Sequence, residues 1–245
     1  MTLSEWSYTA MVTAAVLYLV AFALHALEWS SARGLAETRP EDGSEDAARV
    51  RVDFYGRLGL MVTVLGAVLN VGAIVLRGVA AHRAPWGNMY EFITTSLGFA
   101  ALIYLFCAFR FGMRWLGLGV TLILTIGLGL AVTQFYVDVA PLMPALHSVW
   151  FIFHIVAACI AGAAFNVGAI AAILYLIRER AERRAAAGGK ELTGYVAKLP
   201  SSARLDLFSY RMHAFGVPLW TFVIVAGAIW AQYAWGRFWD WDPKE

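Results

Sequence analysis

Cysteine is almost missing from this chain: Cys107 and Cys159 both lie inside long apolar runs, neither belongs to a C-x-x-C pair, and no thiol falls in a loop. That distribution argues against direct thiol–disulfide chemistry by the chain itself. Charge is sparse as well. Only 15% of the 245 residues are Asp, Glu, Lys or Arg, while 60% are apolar and the mean hydropathy is +0.65. An ordinary water-soluble domain is excluded by those proportions, and so is a disordered chain. The net charge is only +2, and the basic residues lie between apolar runs with no aromatic interleaving, so a nucleic-acid partner finds no support. No G-x-x-x-x-G-K-[ST] loop, zinc-type histidine spacing or Ser/His/Asp set is legible, which leaves hydrolase and nucleotide-driven readings without residues to stand on. Neither a fixed-period repeat nor an inverted pair of broken helices of the secondary-transporter kind is present.

What the chain has in abundance is uninterrupted apolar length. Residues 6–27, 58–76, 92–109, 115–137, 139–177 and 212–236 are each free of Asp, Glu, Lys and Arg. Each is long enough to cross roughly 30 Å of hydrocarbon as a helix. Backbone groups in lipid must be satisfied within a segment, and the alternation of a barrel strand is missing, so the runs predict helices. The expected spans are Tyr8–Ala26, Leu58–Leu76, Phe92–Ala108, Trp115–Tyr136, Val149–Ile177 and Phe215–Trp235. The fold class is all-α: one polytopic membrane bundle over residues 1–245, with about six transmembrane helices. Met1–Ser7 carries only Glu5 and no basic n-region, so the first run reads as a retained helix and not as a cleaved signal.

Alternate loops differ in basic residues. With the N-terminus outside, the inner loops hold Arg33, Arg39, Arg49, Arg51 and Arg57, then Arg110 and Arg114, then the eight Lys and Arg residues from Arg178 to Arg211; the outer side holds only Arg77, Arg83, Arg237 and Lys244. The bias puts both termini outside. Residues 29–57, with mixed charge and helix-breaking Pro40 and Gly43, read as a solvated inner loop. Residues 178–211 read as a cytoplasmic hairpin: a continuation of the fifth helix, a break at Gly188 and Gly189, and a basic face that meets anionic membrane lipid. Small residues inside the spans, Gly117, Gly119, Gly127, Gly129, Gly162 and Gly168, read as packing positions.

This topology sends three aromatic-rich elements to the same outer end: Pro85–Phe92, Pro144–His154 and Trp230–Glu245. Five of the ten tryptophans lie between Trp220 and Trp241. An interfacial belt explains scattered tryptophan but explains the density of Trp235, Phe238, Trp239 and Trp241 less well. On a continuing helix Trp235 and Trp239 would share a face with Phe238 beside them, a surface that a flat apolar macrocycle could bury. Belt and ligand platform both stay open at this point. Among the histidines, His154 lies about two turns inside the fifth helix, where its imidazole can reach a ligand at the outer end. His147 would stand about 10 Å higher on nearly the same face. His82 falls in an outer loop, and His25 and His213 fall at inner helix ends where interfacial water or a helix terminus would satisfy them.

The run WGRFWDWDPKE resembles the tryptophan-rich WWD signature of haem-handling proteins in cytochrome c biogenesis, and its DPKE ending is similar to the CcsA/ResC branch of system II. LFSYRMHAFGVPLWTFVIVAGAIWAQYAWG resembles the helix that leads into that signature, PALHSVWFIFHI a stretch with histidine at the position of His154, and PWGNMYEF a P-x-x-N-x-Y-E element. The likeness covers most of the chain from Pro85 onwards. It implies a subunit of the plasma membrane, or of the thylakoid in a plastid, that presents non-covalent b-type haem on the outer face for thioether attachment to apocytochrome c C-x-x-C-H motifs. It implies His154 as an axial iron ligand, and a ResB/Ccs1-type membrane protein as the partner with which any haem lyase activity would be expressed. Members of the family continue past DPKE, so this chain resembles a C-terminally truncated form, with one axial histidine of two.

On that likeness residues 235–245 form the outer WWD segment. Trp235, Trp239 and Trp241, with Phe238, would pack a porphyrin face and edge. Arg237 and Lys244 would meet the propionates, while Asp240 and Asp242 would face water, cap a turn or pair with Arg237. Asn88, Tyr90 and Glu91 would brace the site from the neighbouring loop. Two other readings stay open: haem delivery without ligation, as in CcmC-like proteins, and a structural membrane subunit whose histidines only pack.

Overall fold

The computed structural model describes residues 2–33, 44–189 and 191–239. Its elements are α1 (Leu3–Ser31), α2 (Ser44–Ala81), α3 (Met89–Phe111), α4 (Gly117–Gln134), α5 (Val149–Ala186), α6 (Gly194–Lys198) and α7 (Ser202–Trp235), with 3-10 turns at Arg114–Leu116 and Pro144–Leu146. All but the short α6 are long and apolar enough to cross a membrane, six in total among the described residues. The chain is therefore an all-helical polytopic bundle.

Helix ends follow local chemistry. Thr2 and Glu5 form a capping box that starts α1. The Asn88 side chain accepts from the Glu91 N–H to start α3, and the Ser148 hydroxyl accepts from the Trp150 N–H to start α5. Gly112 and Gly236 end α3 and α7 at φ of 68° and 73°, a left-handed conformation that glycine adopts without strain.

The helices overrun the expected spans, because charge ends a membrane crossing without ending a helix. Residues 29–57 are not a solvated loop throughout. Helix α2 begins at Ser44 and runs for 38 residues, about 57 Å at 1.5 Å per residue. Val52 is fully buried, and the Asp53 carboxylate stands 3.8 Å from Lys198 and 3.9 Å from Arg114, so this stretch packs on α6 and the first 3-10 turn. Pro40 and Gly43 lie outside the described residues. The 178–211 segment breaks at Gly188 as expected, with φ of 80°. Its second limb is helix, however, since α7 starts at Ser202 and not at Phe215. The Glu182 carboxylate on α5 accepts from the Ser202 hydroxyl at 2.5 Å and from its N–H at 3.4 Å, which ties the new helix start to the old helix end.

Two antiparallel pairs organise the bundle. In α1 against α2, a Cβ placed on Gly66, Gly59 or Gly56 would stand 2.9, 3.0 and 2.6 Å from Tyr18, His25 and Glu28. Positions 18, 25 and 28 ascend by the same steps as 66, 59 and 56 descend, so one register seats each polar side chain over a glycine. Close backbone approach of this kind is what small residues provide in lipid. Gly117 of α4 closes on the same His25 ring, while Gly129 and Gly162 face open space and play no such part. His25 is buried and pairs through Nδ1 with Glu28 at 3.2 Å, so it is held by the bundle and not by interfacial water.

The second pair is α5 against α7, and α5 joins it to the rest of the molecule chiefly through α3. The main core surrounds Tyr18, Tyr104, Leu124 and Leu128. A smaller core of Phe151, Ile155 and Cys159 gathers Trp86, Phe92, Phe99, Leu146 and Trp230 at the end where α5 starts and α7 finishes.

Candidate functional site at the aromatic end of the bundle

The three aromatic elements do converge. Trp86 comes from the connection before α3 and Phe92 from the first turn of α3, Leu146 from the 3-10 turn and Phe151 from the start of α5, and Trp230 from near the end of α7. His154 is half-buried one turn below Phe151. Its Nδ1 lies 2.9 Å from the backbone carbonyl of Val223 on α7. A carbonyl can only accept, so Nδ1 donates this hydrogen bond, and in the neutral ring the lone pair then sits on Nε2. Nε2 has no hydrogen-bond partner among the described residues. The Trp230 ring lies 6.1 Å from the imidazole at an interplanar angle of 21°, and Trp230 is itself anchored by its indole N–H, which donates to Ala145 at 2.8 Å. Phe151 and Trp235 contact the other sides of Trp230, with centroids at 4.9 and 4.8 Å.

Beyond this the terminal aromatics diverge from the sequence expectation. Helix α7 stops at Trp235 and Gly236 turns the chain, so Trp235, Phe238 and Trp239 do not share one helical face. The left-handed glycine is the reason. Trp235, Phe238 and Trp239 are exposed, at 39, 60 and 62%, and of these Trp235 packs against Trp230. Arg237 is exposed in the same segment. Asp240, Trp241, Asp242 and Lys244 lie outside the described residues.

The neighbouring loop is braced by charge. The Glu91 side chain is fully buried and accepts from Arg77 Nε at 3.0 Å, from Arg83 Nη1 at 2.7 Å and from the Gly87 N–H at 2.7 Å. Arg77 lies over the Tyr90 and Tyr136 rings and donates to Val137, while Arg83 donates to Ala140. Glu91 thereby fixes the α2–α3 connection to the segment after α4, with Trp86 in between. Its partners were not foreseen in the sequence, because 14 residues separate Arg77 from Glu91.

The remaining histidines do not converge on His154. His147 is outside α5, at the end of the Pro144–Leu146 turn, so the one-face relation expected for it does not arise. His82 follows α2 with φ of 51°. His213 is twelve residues into α7 and not at a helix end, with Nδ1 2.8 Å from the Ser209 carbonyl of its own helix. Among the described residues no three His, Cys, Asp or Glu side chains come together as a bare-ion site. One imidazole with a fixed tautomer beside indole rings suits an axial ligand to a metal already held in an organic ring. Trp230, Phe151, Val223 and Gly227 were not singled out in the sequence; Trp230 carried a signal, five residues before Trp235, but the helix-to-helix contact did not.

The fold and the site together define a polytopic helical membrane protein with a helix-borne imidazole, His154, beside a cluster of indoles at one end. The cytochrome c assembly protein family matches residues 86–245, a stretch that includes all three aromatic elements except Pro85. The cytochrome c biogenesis protein CcsA of Guillardia theta is 32% identical over 215 residues, covering 80% of this chain and 69% of its own. The CcsA of Porphyra purpurea is 28% identical over 228 residues, with 80 and 72% coverage, and that of Synechococcus sp. (strain CC9605) is 32% identical over 220 residues, with 79 and 71%. This chain belongs to the cytochrome c assembly protein family.

Proposed function

We propose that the chain is the haem-presenting subunit of a cytochrome c synthase. Family membership supports a role in cytochrome c maturation, and therefore haem and apocytochrome c as the molecules handled. The finer assignments extend this. The substrate is non-covalent b-type haem, His154 ligates its iron through Nε2, and Trp235, Phe238 and Trp239, joined by Trp241, cover the porphyrin. Arg237 meets a propionate, and Asp240 and Asp242, which lie outside the described residues, are assigned to the same terminal segment. The site faces the outer side of the plasma or thylakoid membrane, and a ResB/Ccs1-type membrane protein completes the assembly.

Haem supplies two vinyl groups, each of which adds one cysteine thiol of C-x-x-C-H to form a thioether. This chain's residues orient and shield. His154 holds the centre, the indoles exclude water from one face, and Trp86 with the Glu91 network keeps the α3 edge fixed. The observation that carries the reading is the His154 Nδ1–H donating to Val223, which leaves the ligating nitrogen free in a partly buried, aromatic setting.

The test is an absorption spectrum of the detergent-purified chain. A Soret band is expected, lost in His154→Ala and kept in His147→Ala. Co-expression with a ResB/Ccs1-type partner and a C-x-x-C-H reporter should give covalent haem staining that disappears in the same variant. A band of equal strength in His154→Ala refutes the assignment, and a band without staining favours delivery alone.

A further inference from the structure

We infer that Gly227 and the Val223 carbonyl are the positioning elements for His154, selecting which ring nitrogen is free and where it points; this rests on reading His154 as the haem ligand. The geometry begins with the α5–α7 register. A Cβ on Gly227 would stand 2.7 Å from His154 Nδ1 and 2.8 Å from Cε1; one on Gly216 would stand 2.5 Å from Phe165; one on Gly168 would stand 2.7 Å from His213 Cε1. Positions 154, 165 and 168 pair with 227, 216 and 213 in strict antiparallel order, so a ring on one helix meets a glycine on the other at each step.

The His154 step differs from the other two in what the ring does there. Phe165 has no polar atom, and His213 Nδ1 is satisfied by Ser209 on its own helix. His154 alone uses its notch to reach across the seam, where Val223 lies one turn before Gly227 on the same face of α7. A side chain at 227 would push the ring off that carbonyl. Trp230, about one turn beyond Gly227 on α7, lies alongside the ring at 6.1 Å and 21°, and is held in turn by Ala145. The imidazole is therefore flanked along α7 by a carbonyl acceptor, a glycine and an indole, and the carbonyl also makes Nε2 more basic by drawing on the Nδ1 proton.

The test uses the full chain in detergent, titrated with hemin. Gly227→Ala is expected to bind about 10- to 100-fold more weakly than the unmodified chain, the usual loss when a ligand's supporting hydrogen bond is removed. The midpoint potential of the haem it does bind should rise, because a less basic imidazole favours the reduced iron. Gly216→Ala, which introduces a comparable clash against Phe165 on the same seam, should leave both quantities close to the unmodified values. Equal weakening in the two variants, or an unchanged affinity and potential in Gly227→Ala, overturns the inference while leaving His154 as ligand. Unchanged binding in His154→Ala overturns the underlying reading instead. The tautomer has its own measurement, independent of how Gly227→Ala folds. Nitrogen NMR of the haem-free chain labelled with ¹⁵N-histidine, His154 being assigned by difference from His154→Ala, should show the proton on Nδ1. A proton on Nε2 sinks the proposal.

Discussion

Removing the Glu91 carboxylate should be among the most damaging single changes outside the proposed haem site. Its side chain is fully buried, and it is the shared counter-ion of Arg77 and Arg83, whose side chains are 3 and 10% exposed. Glu91→Ala leaves two guanidiniums in a place where water cannot replace the lost acceptor, and frees the Gly87 N–H as well. Breaking a buried pair from one side costs about 3–5 kcal/mol, chiefly because the remaining charge is stranded. Two stranded cations place Glu91→Ala at the upper end of that range. Glu91→Gln keeps the shape and one acceptor oxygen, so its loss should be smaller. The assay is unfolding of the purified chain in mixed micelles with increasing SDS, followed by tryptophan fluorescence. Because buried charges are little screened, the deficit should persist at high salt, unlike that of an exposed pair. A Glu91→Ala loss below about 1 kcal/mol, the size expected of an exposed pair, would show that the network is not buried in the way described.

Two more predictions use the same unfolding measurement. Gly117→Ala drives a methyl to within 2.5 Å of His25 Cε1 and 2.7 Å of the Tyr104 hydroxyl, and should cost about 1–3 kcal/mol of overpacking, whereas Gly129→Ala, facing open space, should be neutral or slightly stabilising. Equal effects at the two positions would dismiss the notch argument. Tyr195 stacks on Trp29 at 4.3 Å and 19°, and burial pushes its phenol well above the ordinary value of 10.0. The buried phenol resists ionisation that the unfolded chain allows, so its contribution is complete below pH 10 and declines as the pH rises past 10. Tyr195→Phe should flatten part of that alkaline decline, and an identical pH profile in the variant would contradict the assignment.

The glycine registers give these predictions a common logic. Without a hydrophobic drive between helices in lipid, association depends on close approach and on satisfying polar groups. The α1–α2 seam spends its glycines on Tyr18, His25 and Glu28, and the α5–α7 seam on His154, Phe165 and His213. Both place ionisable or aromatic side chains inside the bundle where a larger residue would expel them. The first seam builds the interior at the end opposite the aromatic cluster, and the second aims an imidazole at that cluster.

The amino-acid order alone determined the helical, membrane-spanning class, because charge-free runs of bilayer length have few other stable forms. It also determined that Pro85–Phe92, Pro144–His154 and the start of the terminal segment meet at one end, since alternate ends of successive spans must coincide. His154 stood out as an embedded imidazole near that end. What the tertiary structure decided is everything that depends on register and side-chain reach. A helix outruns its apolar span for as long as its backbone bonds and packing allow, so α2 and α7 began well before the hydropathy rose. The arginines that meet Glu91 lie across a helix-to-helix turn, and the carbonyl that fixes the His154 tautomer is 69 residues away in the chain. Gly236 stopped α7 short of Trp239, and a left-handed turn leaves no trace in helical periodicity. The pairing of Gly227 with His154 follows from how two helices slide past one another, a single coordinate set by all the contacts along the seam and by no residue within it.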